Sequence, residues 1–146
     1  MDFEELYREV ILEHARRPRN FGDMPEATCH IHGDNPTCGD EVTLHVKFGD
    51  HNDIEDAKFT GSGCSICMAS ASLMTQKIKK KPKAEAADLW KRFYALLTSD
   101  QETTELDDTL GDLQALQGVR KFPMRVKCAT LPWHALEQAL RENSAV

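Results

Sequence analysis

Three cysteine-containing segments and one aspartate constrain this chain most, because a shared metal ion would oblige them to converge. The first segment reads Asn-Pro-Thr-Cys-Gly-Asp and places Cys38 and Asp40 two residues apart, with a glycine between them that permits a sharp turn. The second, Gly-Ser-Gly-Cys-Ser-Ile-Cys, contains Cys64, and the third, Arg-Val-Lys-Cys-Ala-Thr-Leu, contains Cys128. Three thiols and one carboxylate are a complete ligand set for four-coordinate zinc. Each segment alone could be an ordinary turn or a buried cysteine, but together they favour a metal site.

Alternation of apolar and polar side chains predicts a small antiparallel sheet. The clearest strand covers residues 42–48, a short strand at 28–32 precedes it, and a return strand covers 54–60. The Cys38 segment then lies in a loop between two strands, and Cys64 follows the third strand. Loops of this kind gather at one edge of a sheet, which would bring distant ligands together.

Helical periodicity accounts for most of the remaining chain. Apolar residues recur at helical spacing in four stretches, and a fifth, short helix is closed by Gly118; the stretches are 3–14, 66–78, 86–97, 110–116 and 133–140. We therefore predict an α+β fold, a three-stranded antiparallel sheet with helices on one face, as a single domain over residues 1–146. The length of the chain suits one domain with a modest core.

Details of three helices remain open at this point. Asp2 and Glu5 have the spacing of a capping box at the start of the first helix. Lysines at 77–83 either form a solvated helix end or a patch that docks an acidic partner. Pro132 requires that the last helix is kinked, or that its regular part begins near Cys128, which would place the proline in the first turn. Residues 99–108 are polar and acidic and are predicted to form a loop.

Composition excludes several classes of function. A net charge of −6, spread along the chain, is unsuited to binding nucleic acid. No apolar run approaches the ~20 residues that span a bilayer, so no membrane association is expected. The acidic N-terminus is not a signal peptide, and five cysteines in such a chain are more often ligands or core residues than disulfides. A cytoplasmic protein is expected.

The remaining candidate residues have plainer interpretations. Cys67, at Cys-x-x-Cys spacing from Cys64, is assigned to helix packing, with a resolving thiol or an alternative ligand as the other possibilities. Cys29 is predicted to be a core residue. His14 lies on the apolar side of the first helix and is expected to be packed or hydrogen-bonded. His134 is expected at the surface or beside the site, without binding the metal.

Taken together, the three cysteine motifs resemble those of the U-type iron–sulfur cluster assembly proteins, and within them the SufU branch. The resemblance runs from about Leu6 to about Leu136. It implies a fold of the SufE/NifU type and one Zn²⁺ per chain, held by Cys38, Asp40, Cys64 and Cys128. It also implies a function: Cys38 accepts a transient persulfide from a SufS-like cysteine desulfurase and delivers the sulfur to downstream cluster-assembly proteins.

Two features separate this function from a scaffold on which an iron–sulfur cluster is built. The scaffold branch has a histidine before the last cysteine, where this chain has Lys127, which does not bind a metal while protonated. The transfer branch carries an insertion of roughly twenty residues, and residues 107–124 fill that space. Both features favour a zinc-dependent sulfurtransferase over the scaffold. A purely structural zinc domain would not explain a ligand on so exposed and glycine-flexible a loop. Arg125 and Lys127 are expected to offset the negative charge of the site.

Overall fold

The structure, a computed structural model, describes residues 3–100 and 107–143. Within this part of the chain a helix precedes three strands, and helices follow them. The elements are α1 (Phe3–Arg16), β1 (Cys29–Asn35), β2 (Asp40–Phe48), β3 (Ile54–Ser62), α2 (Ser65–Ile78), α3 (Lys83–Thr98), a 3₁₀ helix (Gly111–Lys121) and α4 (Pro123–Glu142). The predicted α+β class is confirmed.

The three strands form an antiparallel sheet in the order β1-β2-β3. Cys29 lies opposite Val46 at one end of the β1–β2 pair, and Asn35 lies opposite Asp40 at the other. β3 pairs with the other side of β2, from Ser62 opposite Glu41 onwards. The edge of the sheet where β1 ends is therefore also where β2 begins and β3 ends, so the two cysteine loops that follow β1 and β3 meet there.

Helix α2 is the centre of the helical layer. Eleven of its fourteen residues are buried, because it packs against β3 on one side and against α1 and α4 on the others. Ser70 and Ser72 allow close approach and are themselves satisfied: the Ser70 hydroxyl donates to the Ala129 carbonyl oxygen at 2.6 Å, and Ser72 Oγ lies 2.7 Å from Nδ1 of His14. His14 is thus buried and hydrogen-bonded, as predicted.

The last helix closes the core over the sheet. Trp133 is fully buried, its indole N–H donates to Ser70 Oγ at 3.0 Å, and its ring stacks on Trp90 of α3 with centroids 5.7 Å apart. α4 also packs against β1 and β2, so it spans the same face of the sheet as α2. This arrangement holds the first half of α4 close to the sheet edge where the loops meet.

Two predicted boundaries are wrong. Gly118 does not close its helix, because the 3₁₀ helix continues to Lys121 with Val119 buried. α4 does not begin near Cys128: it starts at Pro123, which places Pro132 in its interior, and the alternative of a kink at Pro132 stays a prediction. Burial of Ala129, Trp133 and Leu136 stabilises the helix on both sides of that proline.

Other expectations fall partly outside the described residues. The capping role of Asp2 and most of the predicted loop at 99–108 lie there. Among the described residues, no helix is long and apolar enough to cross a membrane.

Candidate metal centre

Cys38 is presented by a tight turn at the edge of the sheet. The amides of Cys38 and Gly39 both donate to the carbonyl oxygen of Asn35, at 3.1 and 2.9 Å. Gly39 has a φ of 73°, a left-handed conformation that costs a glycine little. Cys38 is exposed at the tip of this turn, and only a short turn positions it.

Asp40 is the first residue of β2, one step beyond the predicted loop, and its side chain is almost completely buried. Its Oδ1 accepts a hydrogen bond from the Cys64 amide at 2.8 Å, and its Oδ2 lies 3.9 Å from Cys64 Sγ. The carboxylate is therefore fixed from the other loop. A buried carboxylate without a cation nearby is costly, so its placement suits a bound metal.

Cys64 is the N-cap residue of α2 and has an extended backbone conformation, with ψ at 166°. Its side chain makes no capping hydrogen bond, and its sulfur instead contacts the Asp40 carboxylate. The prediction that this cysteine lies just before a helix is confirmed.

Cys128 reaches the same point from the second turn of α4. Its Sγ, the Cys38 Sγ and a carboxylate oxygen of Asp40 lie within 4.8 Å of one another. Burial raises the pKa of the Cys128 thiol well above its usual range, and contacts with Asp40, Cys38 and Cys64 raise it further. A bound divalent cation would reverse this balance, because it favours the thiolate.

The four residues singled out from the sequence are thus brought together. Arg125 and Lys127 are both exposed near the start of α4. They precede Cys128 along the helix, and their role as charge partners stays a prediction.

The other two cysteines and His134 are not among the four residues of this centre. Cys67 is fully buried in α2, and burial, followed by the nearby Asp40 carboxylate, raises its pKa. It is therefore a neutral packing residue beside the centre. Cys29 is half-buried and packs against the core. His134 is exposed and lies 3.8 Å from Glu137 and edge-on to Trp90.

Gly63 is a residue of the site that sequence analysis missed. A Cβ at this position would lie 2.6 Å from Asp40 Oδ1, so only glycine lets the β3–α2 loop close over the carboxylate. The Gly-x-Gly-Cys motif is visible in the sequence, but the need for glycine at this position arises only because Asp40 lies directly below the loop.

The Gly63→Ala variant should therefore bind metal more weakly, since either Asp40 or the Cys64 loop must move. We expect at least a tenfold rise in the dissociation constant for Zn²⁺, measured by competition with a chromophoric chelator. Gly118→Ala is the matched control, because a Cβ there meets no atom within 4 Å. Equal affinities in the two variants would show that the close approach does not matter.

Comparison with known proteins gives a consistent picture. Residues 6–129 match the family described as the NifU-like N-terminal domain. The chain is 47% identical over 142 residues to the zinc-dependent sulfurtransferase SufU of Bacillus subtilis, covering 97% of this chain and 94% of that protein. It is 39% identical over 139 residues to the iron–sulfur cluster assembly scaffold protein IscU of Streptococcus pyogenes, covering 95% and 85%.

A solved structure supports the fold. The N-terminal part of a NifU-like protein from Brucella abortus superposes with a TM-score of 0.83 at 22% identity, covering 97% of this chain and 98% of that one. At that identity the likeness concerns the fold, the same α+β arrangement of sheet and helices.

Proposed function

This chain belongs to the family of NifU-like N-terminal domains, and on that premise we propose that it is a zinc-bound sulfur carrier in iron–sulfur cluster assembly. It would accept persulfide sulfur from a SufS-like cysteine desulfurase and deliver it to downstream cluster-assembly proteins. The relatives' names supply the process and the two candidate roles in it, carrier and scaffold.

The observation that carries the carrier role is the unequal placement of the three thiols. Cys38 is exposed on a short turn, Cys64 is half-buried at a helix start, and Cys128 is buried in a helix. Only a thiol that can meet a partner's persulfide can accept its sulfur. Cys38 satisfies this requirement, while Cys64 and Cys128 are held by packed helices.

The donor set fits zinc. Three cysteine sulfurs and one carboxylate are a donor set of the kind that zinc occupies. Atoms of Cys38, Asp40 and Cys128 lie within 4.8 Å of one another, and Cys64 Sγ lies 3.9 Å from Asp40 Oδ2. Cys38, Asp40, Cys64 and Cys128 would hold the ion. When bound, zinc keeps the thiols deprotonated at neutral pH.

The transfer itself is a thiol–persulfide exchange. The Cys38 thiolate attacks the outer sulfur of the desulfurase persulfide; a new S–S bond forms on Cys38 and the partner's S–S bond breaks. The partner's cysteine leaves as a thiolate, and the proton on the outer sulfur stays with it. No external oxidant or reductant is needed, because the transferred sulfur has the same oxidation state in the partner's persulfide and in the new one on Cys38.

Geometry allows Cys38 to turn towards a partner. Gly39 has open space around it, with no atom within 4 Å of a Cβ built there, so the turn can rotate without displacing core residues. Asp40, anchored in β2 and by the Cys64 amide, stays in place during that rotation.

A partner would find an apolar surface beside the centre. Phe122 and Met124, at the start of the helix that carries Cys128, are 55% and 51% exposed. The Met124 carbonyl oxygen lies 3.5 Å from Cys128 Sγ, so these side chains belong to the turn of α4 that precedes this ligand. Large exposed apolar side chains next to a reactive site are typical of a protein-docking surface.

The scaffold role is the second candidate, and it is favoured by the relatives that carry that name. Protein as purified from cells distinguishes the two: elemental analysis should find one zinc per chain and an absorption spectrum without visible colour. Stoichiometric iron and sulfide would instead support a scaffold.

The decisive experiment locates the sulfur. Zinc-loaded protein is mixed with a cysteine desulfurase and cysteine, the reductant is removed, thiols are alkylated, and peptides are analysed by mass spectrometry. We expect one additional sulfur on the peptide that contains Cys38. Sulfur mainly on Cys64, Cys67 or Cys128 would overturn the assignment.

A further inference from the structure

We propose that Asp23, His30 and His45 form a second metal site, on the face of the sheet away from α2 and α4, for a divalent transition-metal ion. One ligand atom from each residue lies within 4.8 Å of the others. Two imidazoles and one carboxylate are a donor set suited to Zn²⁺, Co²⁺, Ni²⁺ or Cu²⁺. The proposal does not depend on the sulfur-carrier function.

The two histidines are placed by the register of the sheet. His30 in β1 lies directly opposite His45 in β2, and their Nδ1 atoms are 2.6 Å apart. The rings meet edge-on, with centroids 4.9 Å apart. Two ring nitrogens this close share a proton between them in the metal-free protein. To bind one ion at ~2.0–2.1 Å from each nitrogen, they would move apart by roughly half an ångström as that proton leaves. His45 is only 5% exposed, so its nitrogen is held at that point by packing.

Thr60 determines which nitrogen of His45 is available. His45 Nε2 lies 3.0 Å from Thr60 Oγ1 on the neighbouring strand. An Nε2–H donated to that hydroxyl leaves the Nδ1 lone pair directed at His30 and Asp23. Metal-binding histidines commonly donate their second ring N–H in this way, which fixes the tautomer and the ring orientation.

Asp23 comes from the segment between α1 and β1, and the backbone beside it is anchored. The Gly22 amide donates to the Phe59 carbonyl oxygen at 2.9 Å, and Met24 is almost fully buried. Asp23 Oδ1 accepts from the Met24 amide at 2.8 Å and lies 3.8 Å from His45 Nδ1. A carboxylate so positioned supplies the negative charge that a divalent ion requires.

The charge state of the pair suits metal binding. Burial, and then the neighbouring His30, lower the pKa of His45, while the Asp23 carboxylate raises it; the net direction favours the neutral imidazole that a metal ligand must be. To bind, His30 needs only to move its own proton from Nδ1 to Nε2. Three protein ligands leave at least one coordination position open, as in sites that bind a further small ligand.

This site is separate from the thiol centre. His45 is five residues along β2 from Asp40, and a strand rises ~3.4 Å per residue, so the two are about 17 Å apart. The two sites also differ in their donor atoms, since the thiol centre offers three sulfurs and the histidine site offers nitrogen and oxygen. A metal ion bound at one site therefore has a different absorption spectrum from an ion bound at the other. Bound Co²⁺ shows a near-ultraviolet charge-transfer band only when thiolates are ligands.

The test adds Co²⁺ to the protein as purified, after its metal content has been measured. Equilibrium dialysis should show one additional Co²⁺ per chain, with weak visible bands and no thiolate charge-transfer band. His30→Gln and His45→Gln should each lose that equivalent. Thr60→Val, which removes the orienting hydroxyl, should weaken it by about tenfold. The matched control is His32→Gln, on the same strand and hydrogen-bonded only to Thr43 in the described structure; it should bind as the wild type does.

Several outcomes would overturn the proposal. No additional Co²⁺ in the wild type would mean that the histidine pair only shares a proton. Undiminished binding in His30→Gln, whose side chain is exposed and whose loss leaves the core intact, would exclude the site even if His45→Gln failed to fold. A thiolate band on addition of Co²⁺ would show exchange at the cysteine centre instead.

Discussion

Removal of the metal from the centre that we propose Cys38, Asp40, Cys64 and Cys128 form should lower the midpoint of thermal unfolding by about 10 °C while the fold persists. An ion present at ~1,000 times its dissociation constant stabilises the native state by about 4 kcal/mol. For a domain of this size each kcal/mol corresponds to ~2–4 °C. The proposed ligands lie in the turn before β2, at the start of β2, just before α2 and within α4. One ion therefore closes several long loops.

The fold should persist because the core does not include the ion. Phe59, Phe93 and Trp133, which bind no ion, are fully buried and belong to one continuous apolar cluster. In zinc-finger peptides, by contrast, the ion supplies on the order of 10 kcal/mol and the apo peptide is unfolded. The apo protein should therefore keep its helical circular dichroism at 25 °C.

The measurement is a thermal melt followed by circular dichroism, with and without a chelator, and with metal loss verified by elemental analysis. Cys29→Ser, which changes a thiol outside the centre, should respond to the chelator like the wild type. Asp40→Ala should respond little, because it lacks a ligand. An unchanged melt after verified metal loss, or complete unfolding at 25 °C, would contradict the expectation.

The sheet and the convergence of the ligands were predictable for a physical reason. Val42, Leu44 and Val46 alternate with polar residues because one face of β2 is buried against the helices, and that alternation is visible in the sequence. Once three antiparallel strands are assigned, the turn after β1 and the loop after β3 must share an edge. The position of Asp40 as the first residue of β2, rather than a loop residue, follows from its pairing with Asn35.

The helix boundaries were harder to predict because tertiary packing overrides local preference. Gly118 would end an isolated helix, but burial of Leu116 and Val119 on either side keeps the chain helical. Pro132 removes one backbone hydrogen bond from α4, a loss that burial of Trp133 and Leu136 offsets. Neither effect is encoded locally.

The Asp23–His30–His45 cluster shows a different limit. The sequence reveals two histidines on strands, but whether they face each other depends on the register set by the Cys38 turn, and a shift of one residue would place them on opposite faces. Asp23 reaches them from a separate segment, which is held against β3 by the hydrogen bond from the Gly22 amide to the Phe59 carbonyl oxygen. Long-range placement of this kind has no local sequence signal.

Cys38→Ser should abolish sulfur acceptance from a cysteine desulfurase while it leaves the fold and partner binding intact. The side chain is exposed at the tip of a turn that is held by backbone hydrogen bonds to Asn35, so serine preserves the turn and disturbs no core contact. A hydroxyl is not a nucleophile towards a persulfide at neutral pH, because it is almost entirely protonated. We expect sulfur incorporation, measured by mass spectrometry of the intact protein, to fall to background.

Cys67→Ala is the matched control, because it removes a thiol that lies three residues after Cys64 and is not a proposed ligand. Cys67 is fully buried and burial raises its pKa, so it should neither meet the partner nor form a thiolate. Its variant should incorporate sulfur at the wild-type level, with at most a modest loss of stability from the small cavity. Co-elution with the desulfurase on size exclusion verifies that Cys38→Ser still binds. The opposite result would be sulfur incorporation that survives in Cys38→Ser and disappears in Cys67→Ala. It would identify the buried Cys67 as the acceptor, and the carrier mechanism argued from the exposure of Cys38 would be wrong.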